Sequence, residues 1–231
     1  AGLCKTGGCV RIANDGSIAA FTAAMELAHS SDAALIEKGV LAHSLGTDLG
    51  TGWLTGEGTI PPLPLEMYDC LLDLGSLSKR EFNLRDLRCV CNENSGLPGA
   101  RRYMGQAAAF RLAFELEPGL LGGFMTKSDG ILYVRDQEPD LRKACLEHLM
   151  ELAEAGDKQA EQIFLTIGKN LGQVCREMEF LFQTGLEERF LFGRFVKRPR
   201  CFALICQGCA LTAPGIHLTA ADSDMAYTPL M

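Results

Sequence analysis

The stretch "LGTDLGTGW", Leu45 to Trp53, does most to limit what this chain can fold into. An apolar run, Gly39-Val40-Leu41-Ala42-His43-Ser44-Leu45, leads into it, and "WLTGEGTI" carries on to Gly56-Glu57-Gly58. Two strand-like runs about a glycine-threonine turn form a β-hairpin. Gly46, Gly50 and Gly52 let the backbone turn sharply and approach a ligand closely. Thr47 and Thr51 add hydroxyl donors, and successive backbone N–H groups in such a turn form a nest for an anion, with phosphate the natural guest. No Lys-Ser/Thr pair and no helix follow the last glycine, so this is not a P-loop. Asp48 works against phosphate unless a cation lies between the two charges.

A second feature stands upstream. In "IANDGSIAAF", residues 12–21, an Asn-Asp-Gly turn separates the extended Val10-Arg11-Ile12-Ala13 from an alanine-rich segment. Ile18, Phe21, Ala24, Met25 and Ala28 recur at helical spacing, which predicts a helix from Ser17. Asn14 and Asp15 are good turn and N-cap residues, and on these residues alone Asp15 is a helix cap.

Beyond the hairpin, the prolines of "PPLPLEMYD" (61–69) make an irregular connection. A loop-rich stretch over 75–99 contains "CVCNENSGLPG". Helices are expected over 100–117, 140–156 and 157–185. "RFLFGRFV" (189–196) and "CFALICQGCA" (201–210) read as buried strands, and 215–224 as a short last strand and turn. Alternating strands and helices without repeats predict an α/β domain with helices on the sheet faces.

Composition narrows the functional classes. A net charge of −7 argues against nucleic acid as a main partner. The local cluster Lys197-Arg198-Pro199-Arg200 reads as a solvated loop. The sequence has no bilayer-spanning apolar run and no signal-peptide core, which points to a cytoplasmic location away from membranes. Its ten cysteines are then reduced thiols in or near the core, Cys145, Cys175, Cys201 and Cys206 among them. His29, His43, His148 and His217 are scattered, and no nucleophile–base pairing with the thiols is evident.

Taken in order, V-x-I-x-N-D-G-x-x-A-A (Val10–Ala20) and L-G-T-x-L-G-T-G (Leu45–Gly52) resemble the ROK family of bacterial sugar kinases, within the actin–Hsp70–sugar kinase superfamily. "AGDKQAEQIFLTIGKNLGQ" resembles the family's long helix, and "RFLFGRFV" is similar to the strand and Gly-Gly turn that follow it. The resemblance implies a ribonuclease H-like, actin-like ATPase lobe, a mixed sheet flanked by helices. It implies ATP or ADP with magnesium as the nucleotide and a sugar as acceptor. It makes Asp15 the general base that takes a proton from the sugar hydroxyl, and Asn14 a sugar contact. Gly46, Thr47, Gly50, Thr51 and Gly52 become the second phosphate-binding loop, and Gly193 the adenine-side turn.

The same resemblance marks departures. Glu66 and Asp69 stand where the family's sugar-site Glu and His are found, Asp69 replacing the histidine. Asp48 and Arg194 replace glycines. Cys89 and Cys91 are all that remains of the family's zinc motif, and structural zinc takes four ligands, so no zinc is expected there. No Asp-x-Gly-x-Thr hairpin stands before residue 10. Residues 1–231 are therefore expected to be one C-terminal lobe of a longer protein, inactive without its N-terminal lobe. Two other readings stay open: a nucleotide- or sugar-binding regulatory module with the kinase fold, and an oligomerisation scaffold built on the helix at 157–185, which would make the protein a homo-oligomer.

Overall fold

The computed structural model describes residues 14–30, 33–62, 65, 67, 70, 72, 99–100, 103–128, 131–134 and 139–221. The expected strand before Asn14, the sites at Glu66 and Asp69, the Cys89–Cys91 pair and nearly all of the 75–99 loop lie outside these residues.

Helix α1 spans Asp15–Ala28, two residues earlier than the periodicity suggests. Asn14 is its N-cap, with Oδ1 accepting from the Gly16 N–H at 2.9 Å; Asp15 is the first helical residue and its Oδ1 accepts from the same N–H at 2.8 Å. A 3₁₀ turn at Ala33–Lys38 leads to the hairpin of β1 (Gly39–Leu45) and β2 (Leu49–Thr55). The strands pair antiparallel from Gly39 with Thr55 to Leu45 with Leu49, as the glycine-threonine turn predicts.

Helix α2 covers Gly105–Leu116, shorter than the expected 100–117. A small hairpin of β3 (Met125–Ser128) and β4 (Ile131–Val134), absent from the sequence reading, precedes helices α3 (Pro139–Glu154) and α4 (Lys158–Phe182). Asp157 caps α4 through the Ala160 N–H at 2.9 Å. Strand β5 (Glu188–Phe192), helix α5 (Pro199–Thr212) and strand β6 (His217–Ala220) complete the order. Among the described residues, no helix is long and apolar enough to cross a membrane.

The main sheet has four strands in the order β2-β1-β5-β6, with β1, β5 and β6 parallel and β2 antiparallel to β1. Alternation sends Val40, Ala42 and Phe190 to one face, beneath α1, and Leu41, Leu45, Leu49 and Leu191 to the other, beneath α2 to α5. The expected mixed sheet flanked by helices is the architecture observed.

Two expectations fail near the C-terminus. Residues 189–196 are not all strand, because β5 ends at Phe192 and Gly193 turns the chain at φ +110°. Residues 201–210 are not a strand but lie within α5. Pro199 opens that helix in its first turn, and Cys201, Leu204, Ile205, Gly208 and Cys209 form a buried stripe at helical spacing. The helix packs unusually close to α4: a β-carbon on Gly168 would collide with the Ile205 carbonyl, and one on Gly208 with the Leu165 carbonyl. Glycine is what permits the two backbones to touch.

Candidate functional site

The site is assembled by backbone contacts that only glycine allows. The start of α1 lies directly on β2, since a β-carbon on Gly16 would overlap the Thr51 carbonyl and one on Gly52 would overlap the Gly16 carbonyl. This contact sets the Asn14-Asp15 turn on the hairpin. The Asp15 carboxylate then stands over Gly50, where an added β-carbon would lie 3.6 Å from Asp15 Oδ2 and 3.4 Å from the Ser44 Cβ. Asn14 and Asp15 are both exposed. One carboxylate oxygen is engaged with the Gly16 N–H, and the other faces the bare backbone of Gly50.

The hairpin turn, Gly46 to Asp48, is clamped from two sides. The Gln106 N–H donates to the Gly46 carbonyl at 3.0 Å, and the N-terminus of α2 sits against the turn at Gly105, whose φ is +82°. A β-carbon there would come within 2.9 Å of the Thr47 carbonyl oxygen. On the other side Gly193 abuts the Leu45 carbonyl so closely that no side chain fits. The turn is closed internally by the Gly46 N–H donating to the Asp48 carbonyl at 3.0 Å. Above Gly46 lies open space, with nothing within 4 Å of an added β-carbon. Sequence reasoning missed Gly105 and Gln106 as part of this site; a glycine immediately before a helical apolar stripe was the available signal.

Of the hairpin residues proposed for phosphate, Thr47 is half-buried at the turn, whereas the hydroxyl of Thr51 is turned away. Thr51 pairs with His43 across the hairpin, and both side chains point to the face opposite Asp15. There Thr51 Oγ1 meets His43 Nδ1 at 3.2 Å in the core, so this hydroxyl is unable to reach a ligand beside Asp15. Strand alternation is the reason: Gly50 and Thr51 are neighbours and must face opposite ways. On the far side of the imidazole, His43 Nε2 contacts Cys175 Sγ at 3.8 Å. That histidine–thiol contact is the pairing the sequence hid, its members being 132 residues apart.

Arg194 follows the Gly193 turn and donates to Glu147 Oε1 of α3 at 2.9 Å. Arg198 reaches Glu147 and Glu151 at 3.5 and 3.3 Å, and Arg200 Nε donates to Glu161 Oε1 at 3.0 Å. The basic cluster is therefore a set of ion pairs holding the start of α5 to α3 and α4, rather than a solvated loop. The hydrogen bonds from Lys158 and Arg200 hold the Glu161 carboxyl below the usual value. Among the described residues, no group of three His, Cys, Asp or Glu side chains is placed to hold a metal ion. The structure thus brings the Asp15 carboxylate to the backbone of Gly50, beside a hairpin turn that carries Thr47.

No protein-family model matches this chain, and no curated protein matches its sequence. Solved structures do match its fold. A ROK hexokinase from Thermus thermophilus superposes with a TM-score of 0.58 at 18% identity, over 90% of this chain and 58% of the hexokinase. A ROK family glucokinase from Streptomyces griseus, solved with glucose and AMPPNP, gives 0.56 at 18% identity over 90% and 62%. A ROK family transcriptional regulator, a homologue of the E. coli MLC protein, gives 0.55 at 16% identity over 90% and 46%. The chain thus has the actin-like ATPase fold of these proteins and spans about three-fifths of the length of the two kinases.

Proposed function

We propose that this chain is the C-terminal lobe of a ROK-like sugar kinase, belonging to that family and transferring the γ-phosphate of ATP to a sugar hydroxyl in company with an N-terminal lobe. The observation that carries the proposal is the Asp15 carboxylate held over Gly50 of the glycine-threonine hairpin. Phosphoryl transfer asks the protein mainly for positioning, together with a carboxylate to accept the hydroxyl proton. Asp15 takes that proton on the oxygen not bound to the Gly16 N–H. Asn14, and Glu66 and Asp69 after the proline connection, orient the sugar. Gly46, Thr47, Gly50 and Gly52 shape the phosphate loop, Thr51 contributing backbone only, and Gly193 forms the adenine side. Magnesium, when bound with the nucleotide, would neutralise phosphate charge and so relieve the repulsion from Asp48.

The lobe is inactive alone in this account, because Asp15 is exposed and a general base works in a cleft closed to water. It acts in the cytoplasm on small molecules. The deciding experiment joins an N-terminal lobe to this chain and assays ATP-dependent transfer to a sugar panel, with Asp15→Asn alongside. Transfer that the substitution removes supports the kinase; no transfer to any sugar defeats it.

A second reading is a sugar- or nucleotide-binding regulatory module. The side chains at Asp48 and Arg194, together with the fold shared with a transcriptional regulator, favour it. Ligand binding that persists where transfer is absent would select it.

A further inference from the structure

Leu41, His43 and Leu45 alternate along β1 toward the face beneath α2 to α5, so an imidazole takes the middle place in an apolar row. A packing role alone asks for leucine there, as at positions 41 and 45. His43 is fully buried, and an imidazole in a core costs free energy unless its nitrogens find partners. Nδ1 lies 3.2 Å from Thr51 Oγ1, and Nε2 lies 3.8 Å from the Sγ of Cys175, itself fully buried on α4. One ring thereby joins β1, β2 and α4.

Thr51 faces two ways. Its side chain, 4% exposed, turns to His43, its partner across the hairpin. Its backbone is the seat of α1: the nearest atoms to a β-carbon placed on Gly16 are the O, C and N of Thr51. The Gly16 N–H in turn holds Asp15 Oδ1 at 2.8 Å and Asn14 Oδ1 at 2.9 Å. The contacts run unbroken from the imidazole to the Thr51 hydroxyl, through the Thr51 peptide to Gly16, and from its N–H to the Asp15 carboxylate. Among the described residues β2 is the edge strand of the sheet, paired with β1 alone. A tie from its side chain to β1, with α4 behind the ring, restrains an edge that ladder bonds hold from one side only.

We propose that His43 is a positioning residue for Asp15: it holds Thr51, and through the Thr51 backbone it sets where the Asp15 carboxylate stands over Gly50. Its effect on rate rests on the reading of Asp15 as general base given above; its effect on structure rests on the contacts alone. A reacting group displaced by about 1 Å loses roughly a hundredfold in rate, so a side chain that never touches substrate still governs turnover. Nδ1 is the nitrogen that carries the link, while the Nε2 contact with Cys175 sets the tilt of the ring.

The test uses that difference. The amide of His43→Asn places a polar atom where Nδ1 stands, whereas the longer His43→Gln reaches the position of Nε2; Thr51→Val removes the hydroxyl at nearly constant shape and carries the test should His43→Gln fail to fold. Amide hydrogen exchange in the 231-residue chain reads Gly16 directly, with Leu171 in the middle of α4 as the control for general loosening. Relative to Leu171, Gly16 should exchange roughly tenfold or more faster in His43→Gln and Thr51→Val, and within about twofold of wild type in His43→Asn. In the two-lobed protein His43→Gln should lower kcat about tenfold or more at a sugar KM within about twofold, and His43→Asn should keep it. Equal exchange at Gly16 in all these chains, or equal effects of Asn and Gln, would overturn the proposal. Exchange as expected with no transfer by the wild type would sink the kinase reading and support the tie between His43 and Asp15; transfer by His43→Gln at the wild-type rate would sink the tie.

Discussion

The Asp15 carboxylate stands over Gly50, with 3.6 Å between its Oδ2 and the place a β-carbon would occupy. Two residues far apart in the chain meet because the backbone of α1 rests on β2 at Gly16 and Gly52. An acid and the glycine-threonine turn are thereby held on one edge of the sheet, where the carboxyl ends of β1 and β5 also lie.

That arrangement depends on the absence of a side chain at Gly52. Gly52→Ala would drive a methyl group into the Gly16 carbonyl, a backbone atom with no rotamer by which to escape. The expected loss is about 3 kcal/mol, at the upper end for overpacking. A urea midpoint unchanged from wild type would show that α1 does not rest on β2 as described.

Asp15→Asn separates chemistry from folding. Asparagine keeps an oxygen for the Gly16 N–H and loses only the first-turn charge, so stability should change by less than about 1 kcal/mol. Phosphoryl transfer by the two-lobed protein should fall about a hundred- to ten-thousand-fold, the usual weight of a general base. Thermal melting and initial-rate assays on the same preparations check both halves.

Thr47 and Thr51 should part company. Thr51→Ala strips the buried His43 Nδ1 of its partner, which costs about 1–3 kcal/mol. Thr47→Ala should leave the urea midpoint near wild type and weaken nucleotide binding. Identical effects from the two substitutions would contradict the opposed faces of β2.

Glu179 supplies a pH dependence. Burial raises its pKa, but the Thr184 hydroxyl at 2.6 Å, the Gly185 N–H at 2.7 Å and Arg189 together bring it below the ordinary 4.5. A carboxyl depressed on folding stabilises the fold fully above the unfolded pKa, and the contribution fades as pH falls through the folded one. Denaturant midpoints should therefore drop on acidification below about 4.5, and less steeply in Glu179→Gln.

The sequence foretold the hairpin, the capped helix after Asn14-Asp15, and the long helix after Asp157, because each depends on local turn and cap chemistry. Residues 201–210 read as a strand because Phe202, Ala203, Cys206 and Ala210 add apolar residues outside the buried stripe of α5, so that only Gln207 marks its solvent face. Two glycines embedded in α4 and one in α5 allow a helix-on-helix contact that no local pattern announces. The site was half legible: glycines and acids show in the sequence, but which way Thr51 faces depends on strand register, and the His43–Cys175 contact depends on how α4 lies against the sheet.

The edge where Asp15 faces Gly50 is proposed as a phosphate site, and one titration tests it most directly. Magnesium and ADP are titrated calorimetrically into the wild-type chain and into Gly50→Val. A β-carbon at position 50 makes ordinary contacts with Ser44 and Asp15, and the melting temperature of the variant checks that it folds. Saturable binding by the wild type that Gly50→Val loses, at unchanged melting temperature, is the result predicted. Equal binding by both chains, or none by the folded wild type, would contradict it.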